Sequence, residues 1–230
     1  MTPTPITIPS GTATIPGELY APPGNASTGL VVIAYGTDGF EDTPNGPWET
    51  MIRGYAVDLA KQGLFALIPD YFRKTGTRPG IEAGDVIRTK HGDWEQALVD
   101  TVAHARALAR VDPSRIGLLG FSLGGYLCLS IRAAAKPRAL VEYFAPKFDG
   151  IGAAGQVPYA QIHHGEDDRF PATDFTNAGA IGAILESEKT AVALFPYKGA
   201  GHGFATKDKA NIDAAALSKA RTLSFFSTQL

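Results

Sequence analysis

A serine at position 122 is the first residue whose surroundings indicate chemistry. It stands in the motif Gly120-Phe121-Ser122-Leu123-Gly124, after the apolar run Ile116 to Phe121 and before the helix-forming segment Tyr126 to Ala135. A sharp turn from a strand into a helix lifts such a serine out of the fold and exposes its hydroxyl. Glycines two residues to either side suit this turn, because the backbone there is strained and passes close to its neighbours. The motif predicts a nucleophilic serine.

A histidine is required next, because a serine hydroxyl is a weak nucleophile at neutral pH and needs an adjacent base. His202 is the candidate base, since glycines on both sides leave its side chain room to reach across a site. The other four histidines have simpler interpretations. His91 and His104 are predicted on the surface of a helical segment. His163 and His164 stand at a strand end and are expected to pack there or to bond to the loop that carries the acid.

An acidic side chain must orient that base. Asp168 is the favoured candidate, because it follows Gly165 by three residues in the loop after a predicted strand. Asp167 is the alternative, since Pro171 follows it by four residues. The serine, the acid and the histidine all follow predicted strands, so a parallel sheet would present them at one edge.

Backbone N–H groups are expected to bind the negative charge that develops on a substrate oxygen. One is that of Leu123, directly after the serine, and the other is that of Thr37, in the loop after the apolar run Leu30 to Tyr35. Gly36 would keep this loop accessible, although Gly36 and Gly39 also have a simpler interpretation as turn residues.

The same loop supplies three candidate substrate-binding residues, Tyr35, Gly36 and Phe40. Aromatic side chains at such positions more often belong to the core. Further aromatic residues that could line a pocket, with the same reservation, are Trp48, Trp94 and Tyr143.

Strands and helices are predicted to alternate along most of the chain, which indicates a mostly parallel, doubly wound α/β sheet with helices on both faces. Residues 6–23 contain short β-prone pieces broken by glycine and proline, which favours an antiparallel edge. Thr75 to Gly92 is less regular, with room for a short helix, and Asp93 is the expected N-cap of the helix that follows. The predicted strands are Leu30–Tyr35, Leu64–Ile68, Ile116–Phe121, Ala139–Phe144, Tyr159–His163 and Ala191–Pro196. The predicted helices are Trp48–Gln62, Asp93–Arg110, Tyr126–Ala135, Thr173–Leu185 and Ala210–Phe226.

Composition excludes several classes of protein. The 230 residues carry a net charge of -2 with no basic run, which argues against a nucleic-acid partner. The N-terminus does not read as a signal peptide, and no apolar run approaches the length of a membrane span. The single cysteine, Cys128, excludes an internal disulfide and is expected to be buried and inert, which fits a cytoplasmic protein. No metal site is expected, because the histidine and cysteine spacings of such sites are missing. We expect one domain over residues 1–230.

Taken together, these motifs resemble those of the dienelactone hydrolase family, along nearly the whole chain. The resemblance implies the α/β-hydrolase fold and cleavage of a small carboxylic ester or lactone through an acyl-enzyme, with no cofactor. It assigns catalysis to Ser122, His202 and Asp168. The segments that carry it are residues 31–34, 63–71, 117–125, 164–168 and 201–204. Independently of the resemblance, we expect a monomer or small homo-oligomer.

Two departures from the family's pattern are visible. Its best-known members use a cysteine nucleophile with a glutamate in the first loop, whereas this chain has Ser122 and, at the corresponding position, Gly36 or Tyr35. Members that act on dienelactones hold the substrate carboxylate with arginines, one shortly after the histidine, where this chain has Thr206 and Lys207. The remaining candidate cations read best as surface charges: Arg73, Arg78 and Arg88.

Two alternatives to ester hydrolysis stay open on the sequence. The same three residues could serve an acyltransferase or a peptidase, because both use the same acyl-enzyme chemistry. A non-catalytic protein that binds a small molecule on a hydrolase scaffold is the other, since a fold does not fix a function.

Overall fold

An eight-stranded, mostly parallel sheet with helices on both faces forms the centre of the structure. The computed structural model describes residues 1–44, 46–148, 151, 155–170 and 172–230. Pro171, which entered the choice between the two aspartates, lies outside the described residues. The α/β-hydrolase fold expected from the sequence is confirmed.

The strands have the following bounds: β1 Thr4–Ser10, β2 Ala13–Tyr20, β3 Thr28–Ala34, β4 Asp42–Thr43, β5 Gly46–Pro47, β6 Phe65–Pro69, β7 Val111–Phe121, β8 Ala139–Tyr143, β9 Tyr159–Gly165 and β10 Ala191–Tyr197. The helices are α1 Trp48–Lys61, α2 Ile81–Arg106, α3 Leu123–Ser130, α4 Arg132–Ala135, α5 Thr176–Ser187 and α6 Lys209–Gln229. Two short 3₁₀ turns cover Tyr71–Lys74 and His202–Phe204.

The sheet has the strand order β1-β2-β6-β3-β7-β8-β9-β10. The hairpin of β1 and β2 is antiparallel and joins β6 in antiparallel orientation, while all other pairs are parallel. Proline suits the edge of a sheet, where its missing N–H breaks no ladder, and Pro5 and Pro9 lie in the outermost strand β1. The antiparallel edge predicted for residues 6–23 is confirmed.

The strands β3, β6 and β8 are buried almost throughout, and β7 is buried from Ile116 onward, as strands of a covered parallel sheet should be. Helices α1 and α6 contact each other on one face of the sheet. Helix α2 contacts α3 and α4. Among the described residues, no helix combines the length and apolar character that crossing a membrane requires.

Helix α2 corrects the sequence prediction. It runs without interruption from Ile81 to Arg106, so that Asp93 lies inside the helix and not at its N-cap. Two interior glycines, Gly84 and Gly92, weaken the local helical signal, because each costs about 1 kcal/mol relative to alanine. Packing of Ala83 in the core accompanies the extra turns, and such burial outweighs propensity.

The helix after Ser122 is also divided differently from the prediction. It begins at Leu123, directly after the serine, and is interrupted at Ile131 before the short α4. The early start puts the N-terminal turn of α3 next to Ser122. The first N–H groups of a helix have no partner within it and favour negative charge nearby.

Candidate active site

Ser122 occupies a tight turn between β7 and α3. Its backbone has φ 51° and ψ -117°, a sparsely populated region that costs a non-glycine residue about 1–3 kcal/mol. Its N–H donates to the Tyr143 carbonyl of β8 at 2.9 Å, which ties the turn to the sheet. A Cβ at position 120 would lie 2.3 Å from the Gly124 carbonyl oxygen, and one at 124 would lie 2.2 Å from the Ala34 carbonyl oxygen. Both glycines are therefore required by close backbone contacts.

The His202 ring lies between Ser122 and Asp168, within hydrogen-bond distance of each. The Nε2 atom of His202 is 3.2 Å from Ser122 Oγ, and its Nδ1 is 2.7 Å from Asp168 Oδ2. A carboxylate only accepts, so Nδ1 carries the proton and Nε2 is free to accept from the serine. This is the geometry of a nucleophile, a base and an orienting acid.

Asp168 is fully buried and has several donors. Its Oδ1 accepts from Phe170 N at 2.9 Å and from Thr173 Oγ1 at 3.0 Å, and its Oδ2 lies 3.2 Å from His164 Nε2. Burial disfavours the charged carboxylate, but the hydrogen bonds from His164 and His202 outweigh burial and hold the pKa of Asp168 well below its usual range. Asp168 is thus a carboxylate at neutral pH.

The neighbouring Asp167 points elsewhere. Its side chain is 60% exposed and lies 3.6 Å from Arg169. The structure therefore brings Asp168, and not Asp167, against the histidine.

Backbone contacts between two loops hold the acid and the histidine together. The Asp167 N–H donates to the Ala200 carbonyl at 3.0 Å, and a Cβ at Gly165 would lie 2.2 Å from the same oxygen. The Gly201 N–H donates to Asn211 Oδ1 of α6 at 3.0 Å. The loops after β9 and β10 are thereby fixed to each other and to the last helix.

Two aromatic rings hold the imidazole of His202. Phe170 stacks on it with ring centroids 4.7 Å apart, and Phe144 meets it edge-on at 4.8 Å. Phe170 is itself 51% exposed, so one face of the histidine is covered by an apolar side chain at the protein surface.

The loop after β3 passes beside the serine. A Cβ at Gly36 would lie 3.3 Å from Ser122 Cβ, which shows how close the two backbones come. Thr37 also lines the cavity at Ser122, and its carbonyl accepts from Gly80 N at 2.8 Å, which fixes the loop to the start of α2. Of the two candidate oxyanion donors, Thr37 thus belongs to the loop that lines the cavity at the serine, and Leu123 is the first residue of α3.

A small cavity opens at Ser122, with about 50 Å³ free to water-sized molecules. Apart from the serine, His202 and the residues at positions 36 and 37, its walls come from Asp38, Gly39, Trp48, Met51, Ile52, Phe121, Phe144 and Phe170.

Two of the predicted substrate-binding residues do not line this cavity. Tyr35 is 1% exposed, stacks on Tyr71 at 4.3 Å and donates its hydroxyl hydrogen bond to Asp70. Phe40 packs behind it, with the Arg53 guanidinium over its ring. The chain turns after β3, and from this loop it is positions 36–39 that line the cavity at the serine.

Several residues of the site carried no signal in the sequence. Thr173 donates to Asp168 and lies 3.1 Å from His202 Nδ1, yet a threonine after a loop has no distinctive motif. Phe170 and Phe144 are single aromatic residues, and only the tertiary structure brings them to the histidine. His164, by contrast, was expected to bond to the acid loop and does so.

The remaining candidates lie apart from the chemistry described above. Cys128 is fully buried, and burial raises the pKa of its thiol, so it is unreactive. Arg73 and Arg78 pair with Asp70 and Glu82 at the surface. No group of three or more metal-ligating side chains occurs in the part of the chain that the structure describes.

Comparisons with known proteins give hydrolases and esterases as relatives and structural neighbours. A protein from Synechocystis sp. named "Putative carboxymethylenebutenolidase" is 25% identical in an alignment 247 residues long, gaps included. The alignment covers 98% of this chain and 96% of the relative. A promiscuous dienelactone hydrolase-like phosphotriesterase from metagenomic libraries superposes with a TM-score of 0.81 at 20% identity, over 99% of this chain and 98% of its own. Esterase 2 of Thermogutta terrifontis, in a structure phosphorylated by paraoxon, gives a TM-score of 0.68 at 17% identity, over 97% and 94%.

The family model of the dienelactone hydrolases matches residues 18–230, which is nearly the whole chain and includes every strand from β3 onward. A match of this extent goes beyond a shared fold, because it follows the order and spacing of the sequence itself. The chain belongs to the dienelactone hydrolase family.

Proposed function

We propose that this protein is a serine hydrolase that cleaves a small carboxylic ester or lactone through an acyl-enzyme. The observation that carries the proposal is the continuous set of contacts from Ser122 Oγ to His202 Nε2 at 3.2 Å and from His202 Nδ1 to Asp168 Oδ2 at 2.7 Å. The small cavity at Ser122 supports a small substrate.

In the first half-reaction, Ser122 Oγ attacks the substrate carbonyl carbon while its proton passes to His202 Nε2. The imidazolium that forms is stabilised by Asp168, whose charge is secured by its donors. The tetrahedral intermediate then collapses, the bond to the alcohol oxygen breaks, and that oxygen takes the proton from Nε2.

In the second half-reaction, water takes the place of the alcohol. His202 Nε2 accepts a proton from the water as its oxygen attacks the acyl carbon. The new tetrahedral intermediate expels Ser122 Oγ, which recovers the proton from Nε2. The products are a carboxylic acid and the regenerated serine, so no cofactor takes part.

Both intermediates place negative charge on the former carbonyl oxygen. We assign its stabilisation to the N–H groups of Leu123 and Thr37. The first lies at the N-terminus of α3, where the helix dipole adds to the hydrogen bond. Loss of one such donor typically lowers turnover by about 10²–10³-fold.

The test is hydrolysis of p-nitrophenyl acetate by the wild type and by Ser122→Ala, with Cys128→Ala as the matched control. We expect Ser122→Ala to lower kcat/KM by about 10⁴-fold or more, because the acyl-enzyme cannot form. Cys128→Ala should keep its activity, since the buried thiol takes no part.

Labelling by paraoxon gives an independent readout. Mass spectrometry should find the phosphoryl group on Ser122 in the wild type and none in Ser122→Ala. A wild type that neither cleaves the ester nor takes the label would contradict the proposal and favour a binding protein. If Cys128→Ala folds but is inactive, our assignment of Ser122 as the nucleophile is wrong.

A further inference from the structure

A second, larger cavity adjoins the one at Ser122. It has about 430 Å³ free to water-sized molecules, against about 50 Å³ for the cavity at the serine. The two have four lining residues in common: Trp48, Met51, Phe121 and Phe144. These four side chains are therefore a wall between the catalytic cavity and what we call the chamber.

Within this wall, Trp48 has a distinct position. Its indole Nε1 donates to Asp38 Oδ2 at 2.9 Å, and Asp38 lines the catalytic cavity. The opposite edge of the ring faces Gly203, which lines the chamber, and a Cβ at position 203 would lie 2.5 Å from the ring. The indole thus extends from one cavity to the other.

The surrounding chain is shaped to receive this ring. A Cβ at Gly46 would also lie 2.5 Å from the indole, so glycine at positions 46 and 203 provides its space. Gly203 has φ 71° and directly follows His202. The ring is therefore held beside the histidine by one hydrogen bond and two glycine contacts.

The chamber has an apolar character. Besides the common wall, it is lined by Tyr55, Phe204, Ile212 and Ala215. Among the described residues of its wall, the cation Lys219 pairs with Asp58 at 2.7 Å and lies over the Tyr55 ring. Ile212 is 56% exposed, so the chamber reaches the protein surface through an apolar rim. Its chemistry fits a hydrocarbon chain or an aryl group and not a charged one.

We propose that Trp48 determines the substrate size of this enzyme. It restricts the catalytic cavity to short acyl or alcohol groups. The chamber behind it is a binding site for an apolar group, and the indole separates this site from the cavity at Ser122. This inference rests on the proposed ester hydrolysis and specifies which esters are accepted.

The expected effect follows from burial of hydrocarbon. Each methylene that moves from water into an apolar site raises the binding constant, and with it kcat/KM, by about fourfold. Removal of the indole by Trp48→Ala would let a longer chain enter the chamber. The ratio of kcat/KM for an octanoyl over a butanoyl ester should then rise by at least about 30-fold, short of the limit for four fully buried methylenes.

The experiment measures kcat/KM for two ester series on the wild type, Trp48→Ala and Trp48→Phe. In the first series the acyl group lengthens from acetyl to octanoyl with p-nitrophenol constant. In the second the alcohol lengthens from methyl to octyl with acetate constant. The series that responds to Trp48→Ala names the group that enters the chamber. Trp48→Phe keeps an aromatic partition and should keep the preference for short chains.

A double variant tests whether the chamber itself is used. Ala215→Phe places a ring in the chamber from α6, so Trp48→Ala/Ala215→Phe should lose the gain on long chains. A site that is merely loosened by Trp48→Ala would keep that gain.

The ratio of two substrates is taken within one variant, so it does not depend on the folded fraction. A wild type that cleaves acetate but whose ratios stay unchanged in Trp48→Ala for both series would overturn the inference and leave the proposed function intact. A wild type that is inactive on acetate and unlabelled by paraoxon would overturn the proposed function instead.

Discussion

Two adjacent histidines on β9 have opposite surroundings. Successive side chains of a strand point to opposite faces of the sheet, so His163 and His164 lie on different sides. Both are fully buried. His163 faces α6, with its Nε2 3.4 Å from Thr222 of that helix, whereas His164 faces the acid loop and α5.

On its side, His163 is kept neutral. Its Nε2 donates to Gln161 Oε1 at 3.1 Å, and its Nδ1 accepts from the Tyr197 hydroxyl at 2.8 Å. Burial, with a smaller contribution from Arg221, lowers its pKa to about 3. Stacking on Tyr143 at 4.6 Å completes an aromatic environment that favours an uncharged ring.

On the other face of the sheet, the surroundings of His164 favour the protonated ring. Its Nε2 donates to the Thr173 carbonyl at 2.7 Å and to Asp168 Oδ2 at 3.2 Å. Burial opposes protonation, but the hydrogen bond to Asp168 and the charge of Glu142 outweigh it and raise its pKa. One strand thus carries a structural histidine on one face and, on the other, a histidine joined to the candidate active site.

The first prediction concerns acid stability and uses His163→Gln. In the unfolded chain this histidine binds a proton below pH 6.5. In the folded protein it stays neutral down to about pH 3. The wild type should therefore lose on the order of 4 kcal/mol of unfolding free energy from this residue as the pH falls through that window. Glutamine keeps polar partners for Tyr197 and Gln161 but does not titrate. Urea unfolding from pH 7 to pH 4 should show the variant's deficit closing or reversing.

His104→Gln, on helix α2, is the matched control and removes a histidine that is not enclosed. It measures how far a change from histidine to glutamine by itself alters the stability at each pH. A deficit of His163→Gln that stays constant from pH 7 to pH 4 would show that the two faces of β9 do not differ as described.

The second prediction concerns activity and uses His164→Ala. Asp168 would lose one of its donors, and a hydrogen bond to a charged group contributes about 1.5–3 kcal/mol. We expect kcat/KM on p-nitrophenyl acetate, per site titrated with paraoxon, to fall by about 10–100-fold. His164→Gln should retain most of the activity, because its amide can still donate.

The comparison with His163→Ala sharpens this result. That variant should be less stable but should keep its activity per titrated site, since its ring does not contact Asp168. Equal losses per site in the two alanine variants would mean that both histidines act only through stability.

The third and smallest prediction concerns Glu142, whose charge raises the pKa of His164. Glu142 is fully buried, its Oε2 accepts from Ala145 N at 2.9 Å, and its Oε1 has no hydrogen-bond partner among the described residues. Burial raises its pKa to about 7. Between pH 4.5 and 7 the unfolded chain releases a proton that the folded protein keeps, so stability falls as the pH rises through that window.

Glu142→Gln removes this titration while it preserves the shape of the side chain. Relative to the wild type, the variant should be more stable at pH 8 than at pH 5 by on the order of 2 kcal/mol. Chemical unfolding at the two pH values measures this. An identical difference at both would indicate that Glu142 does not titrate between them.

Much of the fold is determined by local sequence. Strands β3 and β6 are continuous apolar runs. The turn at Ser122 requires glycine at 120 and 124 because backbone atoms approach those positions closely. The hairpin edge follows from its prolines. These features depend on short-range sterics and burial, which a single sequence displays. The order of Ser122, Asp168 and His202, which follow β7, β9 and β10, is of the same kind.

Other features depend on which segments meet in space. Interior glycines weaken the helical pattern in the first half of α2, so the sequence does not predict that half. Its packing against the rest of the structure makes the helix continuous. Tyr35 reads as a residue of the site, but the turn of the chain after β3 directs its ring into the core.

The position of Trp48 between two cavities arises in the same way. It depends on Asp38, which precedes Trp48 by 10 residues, and on Gly203, which lies much later in the chain, after β10. The sequence by itself determined the order of strands and helices and the candidate chemical groups, because these follow from local periodicity and spacing. Only the tertiary structure decided what surrounds each group, since contacts between distant segments set its burial, its partners and its charge.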